Sequence, residues 1–145
     1  MRSLRGMAMA ATVICGALLT GGCPLPTNTV RVEIINDTDF DVQPNVVFDE
    51  DDGFFGSFFP GDELDTGLIA PGDSFVFDFD CDALGSIASD GGEQVLLFDE
   101  DVIADSTSTL QRDEDFVCGD IITFTFVGNG ADFGVNVSVN GRIVD

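Results

Sequence analysis

The carboxylates of this chain come in clusters. Phe48-Asp49-Glu50-Asp51 and Phe98-Asp99-Glu100-Asp101 repeat one motif fifty positions apart, each after two aliphatic residues. Calcium takes about six to eight oxygen ligands, mostly carboxylates and carbonyls. Asp49, Asp51, Asp52, Asp99 and Asp101 are the candidate ligands, and Asp37, Asp39 and Asp41 form a further acidic turn. Neither turn is an EF-hand. Counted from Asp49 the twelfth position is Pro60, and from Asp37 it is Phe48, where a bidentate Glu is needed. A β-sandwich can still gather ligands from several loops at one end. The competing reading is a set of solvated turns that stop strand edges from pairing with other chains, because a charge run is usually a wet face. The pattern requires no cofactor, and calcium is the one it could accommodate.

Paired carboxylates can also hydrolyse glycosidic bonds, provided that one is desolvated and raised in pKa. No Asp of this chain stands alone in an apolar context, and Trp and Tyr, the usual stacking platforms for sugars, are absent. There is no His either, which excludes Ser-His-Asp and Cys-His centres and His-ligated zinc within the chain. The expectation is a protein without catalytic residues, with a carboxylate hydrolase as a remote alternative.

Charge narrows the partners. The chain holds 27 acidic residues and five basic ones, all arginines, for a net −22. Arg2 and Arg5 lie in the leader, so residues 23–145 carry three arginines against the same 27 carboxylates, a net −24. Such a charge repels nucleic acid and anionic membrane surfaces, and no nucleic-acid partner is expected. It keeps a domain soluble at the cost of self-repulsion, which salt or divalent cations relieve. The apolar residues are numerous and regularly patterned, so a folded domain is favoured over disorder.

The first 22 residues have the layout of a secretory signal peptide: two arginines, a short apolar run, then small residues. Leu19-Thr20-Gly21-Gly22-Cys23 resembles the lipobox of bacterial lipoproteins. The resemblance implies that Cys23 becomes the lipidated first residue of the mature protein. Residues 23–28 then form a short tether, and the partner is a membrane, reached through lipid. Stable anchoring needs more than one acyl chain. With Cys23 modified, Cys81 and Cys118 remain as a pair, either as a disulfide, which an exported compartment permits, or as two buried thiols. The bridge is the expectation.

Residues 29–145 read as a single domain of short strands. Val30, Val32 and Ile34 alternate with Arg31 and Glu33, giving one buried and one wet face. Phe75, Phe77, Phe79 and Cys81 oppose Asp78, Asp80 and Asp82 in the same way. Ile122, Phe124 and Phe126 alternate with threonines, and Val135, Val137 and Val139 with Asn136 and Ser138. Further strands are expected at QPNVVF, where Pro44 limits the N-terminal extent, and at EQVLLFDE. Pro71-Gly72 and Asn140-Gly141 mark tight turns. The predicted core is Val30, Val32, Ile34, Phe75, Phe77, Phe79, Leu97, Ile122, Phe124, Phe126, Val135 and Val137.

About seven or eight such strands predict an all-β, antiparallel sandwich. The phrase LIAPGDSFVFDF is similar to the turn and strand of immunoglobulin-like modules in exported bacterial proteins. Gly72-Asp73-x-x-x-Phe77-x-Phe79 also matches Gly119-Asp120-x-x-x-Phe124-x-Phe126, as an internal duplication or as two similar hairpins. Phe54, Phe55, Phe58 and Phe59 of the GFFGSFFPG insertion either fold over the sheet or form a docking patch for a partner. The sequence thus predicts an exported lipoprotein of the bacterial cell envelope, at the outer membrane or cell surface. It would serve as a structural or protein-interaction module with an envelope protein as partner. The alternative is a calcium-responsive binding module.

Overall fold

The computed structural model describes residues 28–50, 62–95 and 102–144. Ten strands are present among them: β1 (Thr29–Asp37), β2 (Asp41–Glu50), β3 (Asp62–Glu63), β4 (Ser74–Asp80), β5 (Leu84–Val95), β6 (Val102–Ala104), β7 (Leu110–Gln111), β8 (Ile121–Val127), β9 (Gly134–Val139) and β10 (Arg142–Ile143). One turn of 3-10 helix, Gly130–Asp132, joins β8 to β9. The strands form two sheets, ordered β10-β9-β8-β1-β4 and β3-β2-β5-β6, with β7 also against β5. The fold is a β-sandwich, as the strand patterns predict. It is immunoglobulin-like in the broad sense of two packed, antiparallel-rich sheets, with β1 and β8 paired in parallel.

The alternation of β1 explains its central place. Val30, Val32 and Ile34 are fully buried between the sheets, while Arg31, Glu33 and Ile35 face outward. β1 pairs with β4 on one side, setting Val32 opposite Phe77, and with β8 on the other, setting it opposite Ile122. Seven of the twelve predicted core residues are buried: Val30, Val32, Ile34, Ile122, Phe124, Phe126 and Val137. Phe75, Phe77, Phe79 and Val135 are only half-buried, packed against the core from its margin. For the three phenylalanines the cause is position, since β4 ends its sheet and has one neighbour among the described strands. Leu97 lies outside the described residues.

Two strands differ from expectation. β2 begins at Asp41 and runs through Pro44, with a register shift between Pro44 and Val46. The N–H and C=O of Val42 bond to Ile69, away from β5. Two residues on, Pro44 faces the same side, so its missing N–H removes no bond from the β2–β5 ladder. β5 starts at Leu84, well before the expected Glu93, and its described part ends at Val95. Small residues conceal it: Ala88, Ser89, Gly91 and Gly92 are buried without a hydrophobic signal. A Cβ on Gly92 would sit 2.6 Å from the ring of Phe126, so glycine here lets the facing sheet approach.

The two Gly-Asp turns are alike. Gly72 and Gly119 both have positive φ, +77° and +93°, and each turn launches a strand that flanks β1, β4 antiparallel to it and β8 parallel. Asn140 and Gly141 both take left-handed backbone, as a tight β9–β10 hairpin requires. Cys81 follows β4, Cys118 precedes β8, and the two form a disulfide with Cα atoms 5.4 Å apart. The bridge encloses the start of β1: Cys81 N–H donates to the carbonyl of Asn28, and Gly119 N–H to that of Thr29, both at 2.8 Å.

The cysteines are 37 positions apart. Closing such a loop contributes about 4 kcal/mol in the chain-entropy description. Replacing both by serine is expected to lower the unfolding free energy by an amount of that order, read as a fall in the denaturant midpoint. An unchanged midpoint in equilibrium unfolding would mean that the β1 ladders alone hold this end of the sheet.

Candidate functional site

The acidic turns are the residues from which chemistry was expected. Asp49 is the last residue but one of β2, beside Phe48 and opposite Ser86 of β5. Asp51, Asp52, Asp99 and Asp101 lie outside the described residues, as do Phe54, Phe55, Phe58, Phe59 and Cys23. The strand ends leading into the two Phe-Asp-Glu-Asp segments point in opposite directions. β2 leaves at Glu50, paired with Leu84 at the start of β5, whereas β5 reaches Val95 opposite Asp41 at the start of β2. Among the described residues, no three His, Cys, Asp or Glu side chains gather into a possible metal site.

Asp39, of the other acidic turn, has a structural partner. Asn129 donates to its carboxylate at 2.9 Å, and the N–H of Asp39 donates back to Asn129 Oδ1 at 3.2 Å. Gln94 joins them from the second sheet. It is fully buried, donates to Asn129 Oδ1 at 3.1 Å and accepts from the N–H of Gly130 at 2.9 Å. This network ties the β1–β2 turn, the β8–β9 loop and β5 together. Asn36, also fully buried, closes the same end of the sandwich. Its amide donates to the carbonyls of Phe40 and Ile69, each at 2.8 Å, and its Oδ1 accepts from the N–H and hydroxyl of Thr38.

At the opposite end Arg112 fills a comparable role. Its guanidinium donates to the carbonyls of Cys81 and Asp82 at 2.7 and 3.0 Å, with that of Leu84 at 3.3 Å, beside the disulfide. Arg31 binds Asp78 across β1 and β4 through two hydrogen bonds, 2.8 and 3.0 Å. That bond from Arg31 holds the Asp78 carboxyl below its ordinary pKa. None of these roles was predicted from sequence. The legible signal was scarcity, since an arginine among so many carboxylates is free to choose its partner.

One concave feature lies on the outer face of the second sheet. A groove of about 230 Å³ runs between Gln43, Asn45, Glu63, Asp90, Glu93 and Ile103. It sits at the β2 bulge, and the buried Oδ1 of Asn45 there has no hydrogen-bond partner among the described residues. The groove is acidic and polar, with the side chain of Ile103 largely exposed at its rim.

No family model matches the chain, and no curated protein matches it. Among solved structures it is similar to wild-type pneumolysin, with a TM-score of 0.51 and 9% identity over 77% of this chain. It is also similar to a Gram-negative toxin, with a TM-score of 0.49 at 9% identity over 82% of this chain. A disulfide-locked mutant of intermedilysin with human CD59 gives 0.48 and 13% over 76%. The chain spans about a quarter of the length of each: 23% of pneumolysin and 24% of the other two. At such identity the likeness to pneumolysin is one of fold.

Two outcomes test the electrostatics. The Arg31–Asp78 pair adds stability above the unfolded pKa of Asp, and that gain is lost as pH falls through the lower folded value. Stability measured against an Asp78→Asn variant should therefore converge on acidification; a difference independent of pH would refute the assignment. Gln94→Glu places a carboxyl in a fully buried site, where desolvation raises its pKa. Its destabilisation should grow as pH rises above about 4.3, the ordinary Glu value. It should reach at least about 2 kcal/mol at neutrality, read by urea unfolding at several pH values.

Proposed function

We propose that this protein is a non-catalytic, lipid-anchored module of the bacterial cell envelope that acts through contacts with another envelope protein. The observation that supports this best is the Cys81–Cys118 bridge. Disulfides persist in exported compartments and are rare in a reducing cytosol. The bridge thus agrees with the leader and with the lipobox-like Leu19–Cys23, which resemble those of lipoproteins. In this reading Cys23 carries the lipid, residues 24–28 space the domain from the bilayer, and the acidic surface keeps the sandwich off anionic headgroups.

The test is to express the full chain in a bacterium that processes lipoproteins, beside Cys23→Ser. The native chain should fractionate with membranes and yield an N-terminal peptide starting at acylated Cys23 by mass spectrometry. The variant should lose the acyl mass and leave the membrane fraction. An unmodified Cys23, or equal partitioning of the two, would overturn the anchor.

A further inference from the structure

Among the described residues the two sheets present four edges, and three of them are short or interrupted. β3 and β10 are two residues each. The edge beyond β5 is shared by β6 and β7, three and two residues, interrupted between them. β4 is different. It is seven residues long, unbroken, without proline or lysine, and it pairs with β1 alone among the strands described. Soluble proteins usually shorten, charge, bulge or cover such an edge, because it presents a row of backbone groups ready to pair.

The register identifies those groups. Asn36 N–H donates to Asp73 O, and Cys81 N–H to Asn28 O. Both pairs fit the β1–β4 register, in which Val30, Val32 and Ile34 face Phe79, Phe77 and Phe75. Hydrogen-bonded pairs alternate along an antiparallel ladder, so Phe75, Phe77 and Phe79 bond to β1. Ser74, Val76 and Asp78 therefore aim their N–H and C=O groups outward. The side chains agree with an unfinished sheet. Phe75, Phe77 and Phe79 line the inner face as a continuous row, with centroids 4.6 and 6.2 Å apart, yet remain half-buried. Val76 is 47% exposed on the outer face.

Building on the reading of this domain as an interaction module, we propose that the β4 edge docks an extended, basic segment of a partner protein as an added strand. Alternate apolar residues of that segment would complete the cover over the phenylalanine row, and the residues between them would be lysine or arginine. Charge selects the partner: Arg31 takes up Asp78, but Asp80 on β4 and Asp73 and Asp82 at its two ends are exposed, within a chain of net −22. A second copy of this chain brings the same negative charge and is disfavoured. Main-chain bonds then supply affinity, and alternate side chains supply selectivity.

The test uses the full chain in detergent at low ionic strength, where surface charge is not screened, with an octapeptide alternating lysine and valine as probe. Its controls are the same peptide with glutamate for lysine, and one N-methylated along a single edge. Amide exchange is followed residue by residue. In the free protein Ser74, Val76 and Asp78 should exchange fast while Phe75, Phe77 and Phe79 are protected; the lysine peptide should slow the first three. Val76→Pro deletes an outward N–H and leaves the β1 ladder complete, and should weaken binding about tenfold. Should that variant misfold, the N-methylated peptide makes the same comparison on the native chain and should fail to protect the three amides. Slow exchange at these positions in the free protein, or equal binding of the N-methylated peptide, would overturn the proposal. Protection confined to another surface would overturn the edge and leave the module reading standing. Failure of Cys23 acylation would strike the envelope reading and leave the edge intact.

Discussion

The double pairing of β1 is the constraint on which this sandwich rests. Its even-numbered residues bond to β4 and its odd-numbered residues to β8, so both sides of its backbone are satisfied over nearly its whole length. The same parity places Val30, Val32 and Ile34 in the core. A slip of one residue against either neighbour would turn this set to solvent and bring Arg31 and Glu33 inside. The disulfide and the bonds to Asn28 and Thr29 fix the start of that register. The Asn36 network fixes its end.

Charge is managed by placement. The described carboxylates occupy turns and outward positions, where water solvates them, and the described core holds none. The buried polar residues are neutral: Asn36, Thr38, Ser89 and Gln94. A buried amide with its bonds made costs far less than a buried charge. Two of the three arginines of residues 23–145 serve the framework. Arg112 caps carbonyls beside the disulfide, and Arg31 neutralises Asp78 next to β1.

What the sequence could and could not convey follows from the physics of each element. β1, β8 and β9 are legible because period-two alternation is a local property, written wherever one face is wet. β5 is not, because its burial depends on small residues lying under another sheet, and Gly92 is explained only by Phe126. The half-burial of Phe75, Phe77 and Phe79 depends on strand order, which alternation does not encode. The cysteine pair was legible through compartment and count. Gln94, Asn129 and Asn36 were not, since their partners come from loops far away in the chain. Of the acidic residues singled out for chemistry, Asp49 lies at a strand end, and Asp39 has become part of a structural network.

The crosslink around the start of β1 also bears on mechanics. A pull on the chain at Asn28 would run along β1 and load its ladders with β4 and β8 in shear, which engages many hydrogen bonds at once. The Cys81–Cys118 bond lies within a residue or two of the point of application and joins the two strands on either side of it. Peeling β1 from its N-terminus would have to begin where its two neighbours are covalently joined. The domain is therefore reinforced at the place where a tether would transmit force.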